Sequence, residues 1–240
     1  MNKNRGPYSF FGNRNEGGAD CAGCHQGPTL ASDRHHLVAY PQMGPGKGND
    51  SGSNTSNDFG RENINHNEED RYHFRAPTLL NIAVTAPYGH TGAYQTLKEV
   101  VAHYNNPAQA INRLFSAQDG VALADDNAPF CQLPQVQALM LKNNQRCQDL
   151  YPDAHENSMA VANHLQQARD GEVQASSPLR GRRNLSPVQI AQLVSFMQAL
   201  TDPCVVDREC LSPWIVEEND RANYPDPNPL VAHDKDGIDL

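Results

Sequence analysis

The sequence predicts a mainly α-helical fold with long irregular loops, because its clearest patterns have the spacing and the end signals of helices. The strongest pattern begins at Ser186, which is followed by a proline at the first helical position and a glutamine at the third. Apolar residues then recur with helical spacing until the pair Asp202-Pro203, which ends a helix. No run typical of a strand and no internal repeat stands out. The stripe that we expect to be buried consists of Ile190, Leu193, Val194, Met197 and Leu200.

A second helix is predicted to begin at Thr96 and to run to about Tyr104. Thr96 and Glu99 have the spacing of a capping box, in which each side chain bonds the backbone of the other residue. One face of this helix is apolar and consists of Leu97, Val100, Val101 and Tyr104. We expect that face to be buried, and we expect His103 to lie with Glu99 on the opposite, polar side.

Two weaker helices and two loop segments complete the structural prediction. One helix is predicted after Pro134 to about Lys142, and residues 155–170 are expected to be helical with a weaker pattern. Residues 44–58 are rich in Gly, Ser, Asn and Asp, so they predict a solvated loop. Residues 74–93 are apolar but are broken by prolines and glycines, which predicts a packed irregular segment with a short helix or turn.

Composition and charge exclude two classes of function. The 240 residues suit one domain of ordinary size, and no run approaches the roughly 18 apolar residues needed to cross a bilayer. Lys and Arg total 19 against 28 Asp and Glu, which gives a formal net charge of −9. Nucleic-acid binders carry a basic footprint, so this balance argues against that class. An acidic surface instead suits a basic protein partner.

The motif that carries the chemistry is Cys21-Ala22-Gly23-Cys24-His25, the C-x-x-C-H pattern of c-type haem attachment. Two thiols add across the haem vinyl groups, and the histidine that follows reaches the iron from the proximal side. A zinc ribbon would need a second cysteine pair at similar spacing, which the chain lacks. A thioredoxin-like motif would lie in a βαβ context, whereas glycines flank this one. The motif therefore predicts one covalent haem c.

The other four cysteines are Cys131, Cys147, Cys204 and Cys210, and they allow three disulfide connectivities. Local pairing, Cys131–Cys147 and Cys204–Cys210, is the simplest, and the alternative is four reduced, buried thiols. Because c-type haem is attached outside the cytoplasm, we expect a periplasmic, oxidising location. The N-terminal stretch MNKNRGPYSFFGNRNEGG has no apolar core of a secretory signal. We therefore expect that a leader has been removed or that the chain is a piece of a longer protein.

Five residues are candidates for the distal side of the iron. They are Met43, Met197, His90, His103 and Tyr104. Methionine is the usual ligand of electron-transfer cytochromes, but Met197 lies on a predicted buried stripe and is expected to be core. Tyr104 ends a helix whose apolar face it shares. The alternative for Tyr104 is a core tyrosine beside an iron that is open or bound by histidine.

Four segments carry a family resemblance: CAGCH at 21–25, FRAPTLLN at 74–81, TAPYGHTG at 85–92 and TLKEVVAHY at 96–104. Together they resemble the C-terminal haem domain of the bacterial dihaem cytochrome c peroxidases and their MauG-type relatives. The resemblance implies a cytochrome c-like haem domain, and the local cysteine pairs predict that its insertions are stapled by disulfides. We divide the chain accordingly, with a haem-binding part, an insertion, the last helix of the domain and an extended surface tail. These parts are residues 1–105, 106–185, 186–202 and 203–240.

The resemblance also implies roles for single residues. The peroxidase branch has a distal Met where this chain has Tyr104, and the MauG-type branch has Tyr, so Tyr104 becomes the distal ligand beside His25. A phenolate ligand is expected to lower the reduction potential. Thr85 and Pro87 match a stretch whose backbone carbonyls hold Ca²⁺ in the family. Arg75 is expected to bind a haem propionate or, alternatively, to form a surface salt bridge.

The same family has two haem domains, and peroxide reacts at the haem of the N-terminal one. This chain has a single C-x-x-C-H motif, so that half is absent from it. The expected function is that of an oxidoreductase domain exchanging electrons or oxidising equivalents with a second haem domain or subunit, where hydrogen peroxide reacts. A small cytochrome or cupredoxin would be its redox partner. The alternative is a monohaem cytochrome that only transfers electrons. His90 would line the haem or the interdomain face, or would form structural hydrogen bonds.

Overall fold

The computed structural model describes residues 5–44, 57–115, 126–179 and 184–214, and all structural statements below concern these ranges. As predicted, this part of the chain is mainly α-helical. Its helices are α1 (Arg5–Phe11), α2 (Glu62–Asn65), α3 (Leu97–Asn105), α4 (Pro107–Phe115), α5 (Pro134–Asn143), α6 (Cys147–Leu150), α7 (Ala154–Asp170), α8 (Pro187–Gln198) and α9 (Arg208–Leu211). Its strands are β1 (Ser32–Leu37) and β2 (His73–Ala76), and several short 3-10 turns connect the elements.

The two capped helices begin where the sequence predicts. At α8 the Ser186 hydroxyl accepts a hydrogen bond from the Gln189 amide at 3.3 Å, and the Gln189 side chain accepts one from the Ser186 amide at 2.9 Å. At α3 Thr96 and Glu99 exchange the equivalent bonds at 3.2 and 2.8 Å. Both capping boxes satisfy amides that a helix leaves unpaired at its N-terminus. Helices α5 and α7 also agree with their predicted ranges to within a residue or two.

The prediction of no strand is wrong for two short segments. Strand β1 pairs antiparallel with β2, and His36 stands opposite Phe74 in the register. The sequence of β1, SDRHHL, has no apolar alternation, so its extended form comes from pairing with a distant partner and from packing of Leu37. The segment predicted to be irregular at 74–93 therefore starts as a strand. Beyond Ala76 it is irregular, with one short 3-10 turn at Ile82–Val84.

Five of the described helices have no counterpart in the sequence prediction, and the two longest of these are α1 and α4. Helix α1 packs against α8, where Phe10 meets Phe196 with ring centroids 4.9 Å apart. Helix α4 follows α3 almost directly. The sequence at its start has the features of a helix N-terminus. Pro107 occupies the first helical position, and the Asn106 side chain accepts a hydrogen bond from the Gln109 amide at 3.3 Å.

Both local disulfides are formed, which excludes the alternative of four reduced thiols. Cys131 and Cys147 are fully buried and join the turn before α5 to the first residue of α6. Cys204 and Cys210 join the turn Pro203–Val206 to α9. The first disulfide lies in a core cluster formed mainly by α4, residues 128–133 and α7, so it ties the predicted insertion into a packed unit.

The core has two further clusters, and they position the candidate site. One is formed by α1, α3 and α8 with the segments around Leu30 and Tyr88. The other joins residues 37–39 to Tyr72 and to α7, with Tyr40 and Tyr104 packed against it. Helix α3 contacts both α4 and α8, so it lies between the predicted insertion and the predicted last helix of the domain. The boundaries of the four predicted parts stay predictions.

Some predicted segments lie outside the described residues. Residues 45–56 of the predicted loop and residues 215–240 of the predicted tail are among them. Within the part of the chain that the structure describes, no helix is both long and apolar enough to span a bilayer.

Candidate functional site

A cavity of about 540 Å³ lies between the C-x-x-C-H segment, β2, α3 and α8. Its wall is mostly apolar and includes side chains from three helices, among them Phe10 of α1, Val101 of α3 and Leu193 of α8. A volume of this size is typical of pockets that bury a cofactor-sized ligand. Among the residues that line it are Cys21, Cys24, His25, Arg75, Thr85, Pro87 and Tyr104. The structure thus brings to one cavity all seven residues to which the sequence analysis assigned a role in binding haem or Ca²⁺.

The C-x-x-C-H segment is a tight turn that presents its three functional side chains to the cavity. Residues Cys21–Gly23 form a 3-10 turn, and the amides of Cys24 and His25 donate to the Cys21 carbonyl at 3.1 and 2.9 Å. This turn brings Cys21 and Cys24, which have two residues between them, onto the same wall of the cavity. Both thiols are half-buried, and the two disulfides of the protein use the other four cysteines.

The tautomer of His25 is set by a backbone contact. Its Nδ1 lies 3.0 Å from the carbonyl oxygen of Leu30. Since a carbonyl can only accept, Nδ1 carries the proton and donates, which leaves the lone pair on Nε2. Burial lowers the pKa of His25, although the carbonyls of Leu30 and Pro77 act in the opposite direction. The neutral ring with a lone pair on Nε2 is the form that binds a metal, and the hydrogen bond at Nδ1 fixes its orientation.

The predicted apolar face of α3 is confirmed, because all of its members face the cavity. They are Leu97, Val100, Val101 and Tyr104. The i, i+3, i+4, i+7 spacing places them in one stripe along the helix. Tyr104 therefore shares a cavity with His25, as the haem hypothesis requires of a distal ligand.

His103 was expected on the polar side of α3, and that expectation is wrong. Its side chain is 0% exposed. Nε2 donates to the carbonyl of Val38 at 2.8 Å, and Nδ1 accepts from the Tyr94 hydroxyl at 2.7 Å. The physical reason is that neither side of α3 faces solvent at this point. One side lines the cavity, and residues 38–40 and Tyr94 pack against the other. His103 does not line the cavity, so it is not placed as a ligand.

Three of the five candidates for the distal position lie on the cavity wall. Met43 packs instead against the cluster that contains the Cys131–Cys147 disulfide. Met197 lines the cavity and is 6% exposed, so it is part of the core, as predicted, and of the wall at once. His90 also lines the cavity, and its ring stacks on Phe74 at 3.8 Å. Within the described ranges His90 forms no hydrogen bond, so its structural hydrogen-bonding role has no support.

Two polar residues fit the acidic edge of a haem. Arg75 lines the cavity, and among the described residues it forms no ion pair with a carboxylate, which removes support for a surface salt bridge. His36 of β1 lines the same cavity, and no sequence motif had singled it out. Its Nδ1 lies 2.7 Å from the Ser177 hydroxyl, whereas its buried Nε2 has no hydrogen-bond partner in the described structure. An orphaned buried nitrogen and a cation beside an apolar cavity fit a cofactor that carries carboxylates.

The calcium prediction gains no side-chain ligands from the structure. Thr85 and Pro87 lie at the cavity wall, but in the described ranges the close group of ligand atoms found is Asp126 with Cys131 and Cys147. Those two sulfur atoms are joined in a disulfide, so they are not thiolate ligands. Calcium at Thr85 and Pro87 therefore stays a prediction of the family resemblance.

With the geometry in place, the chain can be compared with known proteins. It is 36% identical over 107 residues to the cytochrome c551 peroxidase of Pseudomonas aeruginosa, a match covering 45% of this chain and 27% of that protein. The cytochrome c551 peroxidase of Nitrosomonas europaea is 36% identical over 84 residues, which cover 35% of this chain and 23% of that protein. The methylamine utilization protein MauG of Methylophilus methylotrophus is 25% identical over 101 residues, which cover 42% of this chain and 26% of that protein. No family model matches the chain.

These relatives confirm the resemblance predicted from the four motif segments: the chain is similar to bacterial cytochrome c peroxidases and to MauG. The chain spans about a quarter of the length of these curated relatives. A solved MauG-like protein associated with microbial copper homeostasis aligns with 88% of this chain and 50% of its own, at 19% identity and a TM-score of 0.44. At that score the alignment does not establish a shared fold, so the cytochrome c-like assignment stays a prediction.

Proposed function

We propose that this chain is a c-type haem oxidoreductase domain of the cytochrome c peroxidase and MauG type. The observation that carries the proposal is that Cys21, Cys24, His25 and Tyr104 line one cavity of about 540 Å³. The relatives that match the chain are named as peroxidases and as MauG, which supports a redox role for that cavity. When bound, haem c would supply a one-electron redox centre to this site.

The residues of the cavity wall would hold the haem in different ways. The thiols of Cys21 and Cys24 would form the two covalent links, and Nε2 of His25 would bind the iron from the proximal side. The hydrogen bond from Nδ1 of His25 to Leu30 holds the ring in one orientation. Arg75 and His36 would bind the propionates, and the apolar side chains of α1, α3 and α8 would exclude water from the ring.

We assign Tyr104 as the distal ligand in preference to Met197 and His90. The three share the cavity wall, but only position 104 matches the ligand position of the family whose motifs the chain carries. An anionic phenolate stabilises oxidised iron more than a thioether does, so the site is suited to a low reduction potential. Such a site favours holding an oxidised state over relaying electrons at high potential.

The proposed domain would work with a second haem, because the family that the chain resembles has two haem domains and this chain carries one C-x-x-C-H motif. The chain spans about a quarter of the length of its peroxidase relatives. Hydrogen peroxide would react at that second haem, and this domain would exchange oxidising equivalents with it. Electrons would come from a small cytochrome or cupredoxin, and the net charge of −9 suits a basic partner surface. Haem attachment and the two disulfides both fit the periplasm.

The experiment that tests this function is a measurement of intact mass and haem content on the protein purified from its native source. Two covalent haems, on one chain or in a tight complex, together with peroxide consumption, are expected. One haem and no turnover of peroxide with any copurifying partner would overturn the peroxidase role and leave an electron-transfer cytochrome. The absence of covalent haem would overturn both.

A further inference from the structure

Tyr40 lies against Tyr104 on the cavity wall, and the sequence offered no signal for it. Both rings line the cavity, and their centroids are 6.0 Å apart with planes at 85°. Burial first, and then the charge of Tyr104 and hydrogen bonding to it, raise the pKa of Tyr40. The ring of Tyr40 is thus packed edge-on against the residue whose oxygen atom we propose as the distal ligand.

The ring of Tyr40 is held on two sides. One side stacks on His103, with centroids 4.6 Å apart and planes at 17°. Gly89 packs against the ring as well, since a Cβ atom at that position would lie 2.7 Å from Cδ1 of Tyr40. Gly89 also has a φ of +85°, so two independent requirements favour glycine there. His103 is itself fixed by its bonds to Val38 and Tyr94.

The chemistry of ligation decides which hydroxyl donates. A tyrosine bound to iron has given up its proton, so the Tyr104 oxygen can only accept. The proton of the Tyr40–Tyr104 hydrogen bond then belongs to Tyr40. A hydrogen bond to a charged oxygen is shorter and stronger than one between neutral groups, and it draws electron density away from that oxygen.

We propose that Tyr40 is a positioning residue, which donates a hydrogen bond to the Tyr104 oxygen, orients the phenolate and weakens its donation to the iron. The proposal rests on the assignment of Tyr104 as the distal ligand. Without this hydrogen bond the phenolate would be a stronger electron donor. The oxidised iron would then be stabilised further, and the transition that moves charge from phenolate to ferric iron would need less energy.

The test uses the full chain with its haem attached and compares Y40F, Y104F and Y72F with the unchanged protein. Tyr72 is the matched control, because it is a buried tyrosine in the cluster against which Tyr40 and Tyr104 pack, yet it does not line the cavity. The readouts are the ferric charge-transfer band and the reduction potential. Y40F is expected to move the band to longer wavelength and to lower the potential. Y104F is expected to abolish the band and to raise the potential, which is the opposite sign.

The outcomes separate the proposal from its premise. If Y104F leaves the band and the potential unchanged, Tyr104 is not the ligand, and the proposal falls with that assignment. If Y104F has its expected effect while Y40F matches the unchanged protein, only the role of Tyr40 is overturned. Equal shifts in Y40F and Y72F would also overturn it, because a general loss of packing would then explain both.

Discussion

The hydroxyl of Tyr94 lies 2.7 Å from Nδ1 of His103, and both side chains are buried. Because His103 donates from Nε2 to the Val38 carbonyl, Nδ1 must accept, so the direction of both hydrogen bonds is fixed. The pair anchors α3 from the side that faces away from the cavity. Tyr104, the next residue along the helix, is presented to the cavity on the other side.

Removal of the Tyr94 hydroxyl should destabilise the protein. In Y94F the buried Nδ1 of His103 loses its donor, and an unsatisfied buried acceptor costs about 1–3 kcal/mol. Urea unfolding of the haem-loaded chain measures the change in free energy. Y8F is the matched control, because the exposed Tyr8 hydroxyl donates only to the Glu16 carbonyl, and its loss should change stability by no more than about 0.5 kcal/mol. Equal losses in the two variants would contradict the anchoring role of Tyr94.

The distal position can be assigned by three substitutions at the cavity wall. Y104F should change the ferric spectrum and raise the reduction potential, since an anionic ligand is lost. M197L and H90Q alter the other two candidates on the wall and should leave the ferric spectrum close to that of the unchanged protein. Optical spectra and a redox titration on the four proteins make the comparison. A large change in M197L or H90Q, with none in Y104F, would move the assignment to that residue.

Stability should fall as the pH decreases below about 6.5, the ordinary pKa of histidine, and His73 should contribute to the fall. Burial lowers the pKa of His73 in the folded protein, while the hydrogen bond to the Arg71 carbonyl and then the charge of Asp70 act in the opposite direction. Its Nδ1 lies 2.9 Å from the Arg71 carbonyl, and its Nε2 accepts from the Ser177 amide at 3.3 Å. As the pH falls, His73 therefore binds a proton more readily in the unfolded chain than in the folded one. Its contribution to the free energy of unfolding is present above the unfolded pKa and is lost as the pH falls towards the folded pKa.

The measurement for this pH effect is the free energy of unfolding between pH 5 and pH 8. H73Q should be less stable than the unchanged protein at pH 8, but its stability should depend less on pH. H66N, at an exposed histidine in the left-handed conformation, is the control and should keep the full dependence. If the curves of H73Q and the unchanged protein run parallel, His73 does not contribute.

The two disulfides should differ in their effect on stability. Cys131–Cys147 closes a separation of 16 residues and Cys204–Cys210 one of 6. The chain-entropy model gives about 3 kcal/mol for the first and about 2 kcal/mol for the second. The paired variants C131A/C147A and C204A/C210A, compared by thermal unfolding, test this order. A larger loss for the second pair would mean that packing around the Cys, not loop closure, sets the contribution.

The sequence was informative wherever structure is encoded locally. The capping boxes at Thr96 and Ser186 sit within four residues of the helices they start, so α3 and α8 could be located from their own segments. The C-x-x-C-H motif is local too, because its geometry depends on a single turn. The apolar face of α3 that ends at Tyr104 could be predicted from helical spacing alone.

The features that were missed depend on partners distant in the chain. Strand β1 is extended because β2 pairs with it, and its polar sequence gives no sign of this. His103 is buried because residues 38–40 cover the second side of α3, which spacing within the helix does not reveal. Tyr40 reaches Tyr104 across more than sixty positions of sequence, so only the folded chain brings the two phenols together.

The position of residue 104 follows from the register of α3, and it does not depend on the chemistry of the side chain. A helix turns by about 100° per residue, so one inserted residue between Leu97 and Tyr104 would carry the phenol off the cavity wall. A substitution at 104 leaves the backbone in place and changes only the group offered to the cavity. The resemblance to a family with methionine in one branch and tyrosine in another fits this arrangement. The helix fixes the position of the group at 104, so under the proposed ligation the reduction potential would change with that one side chain while the fold stays the same.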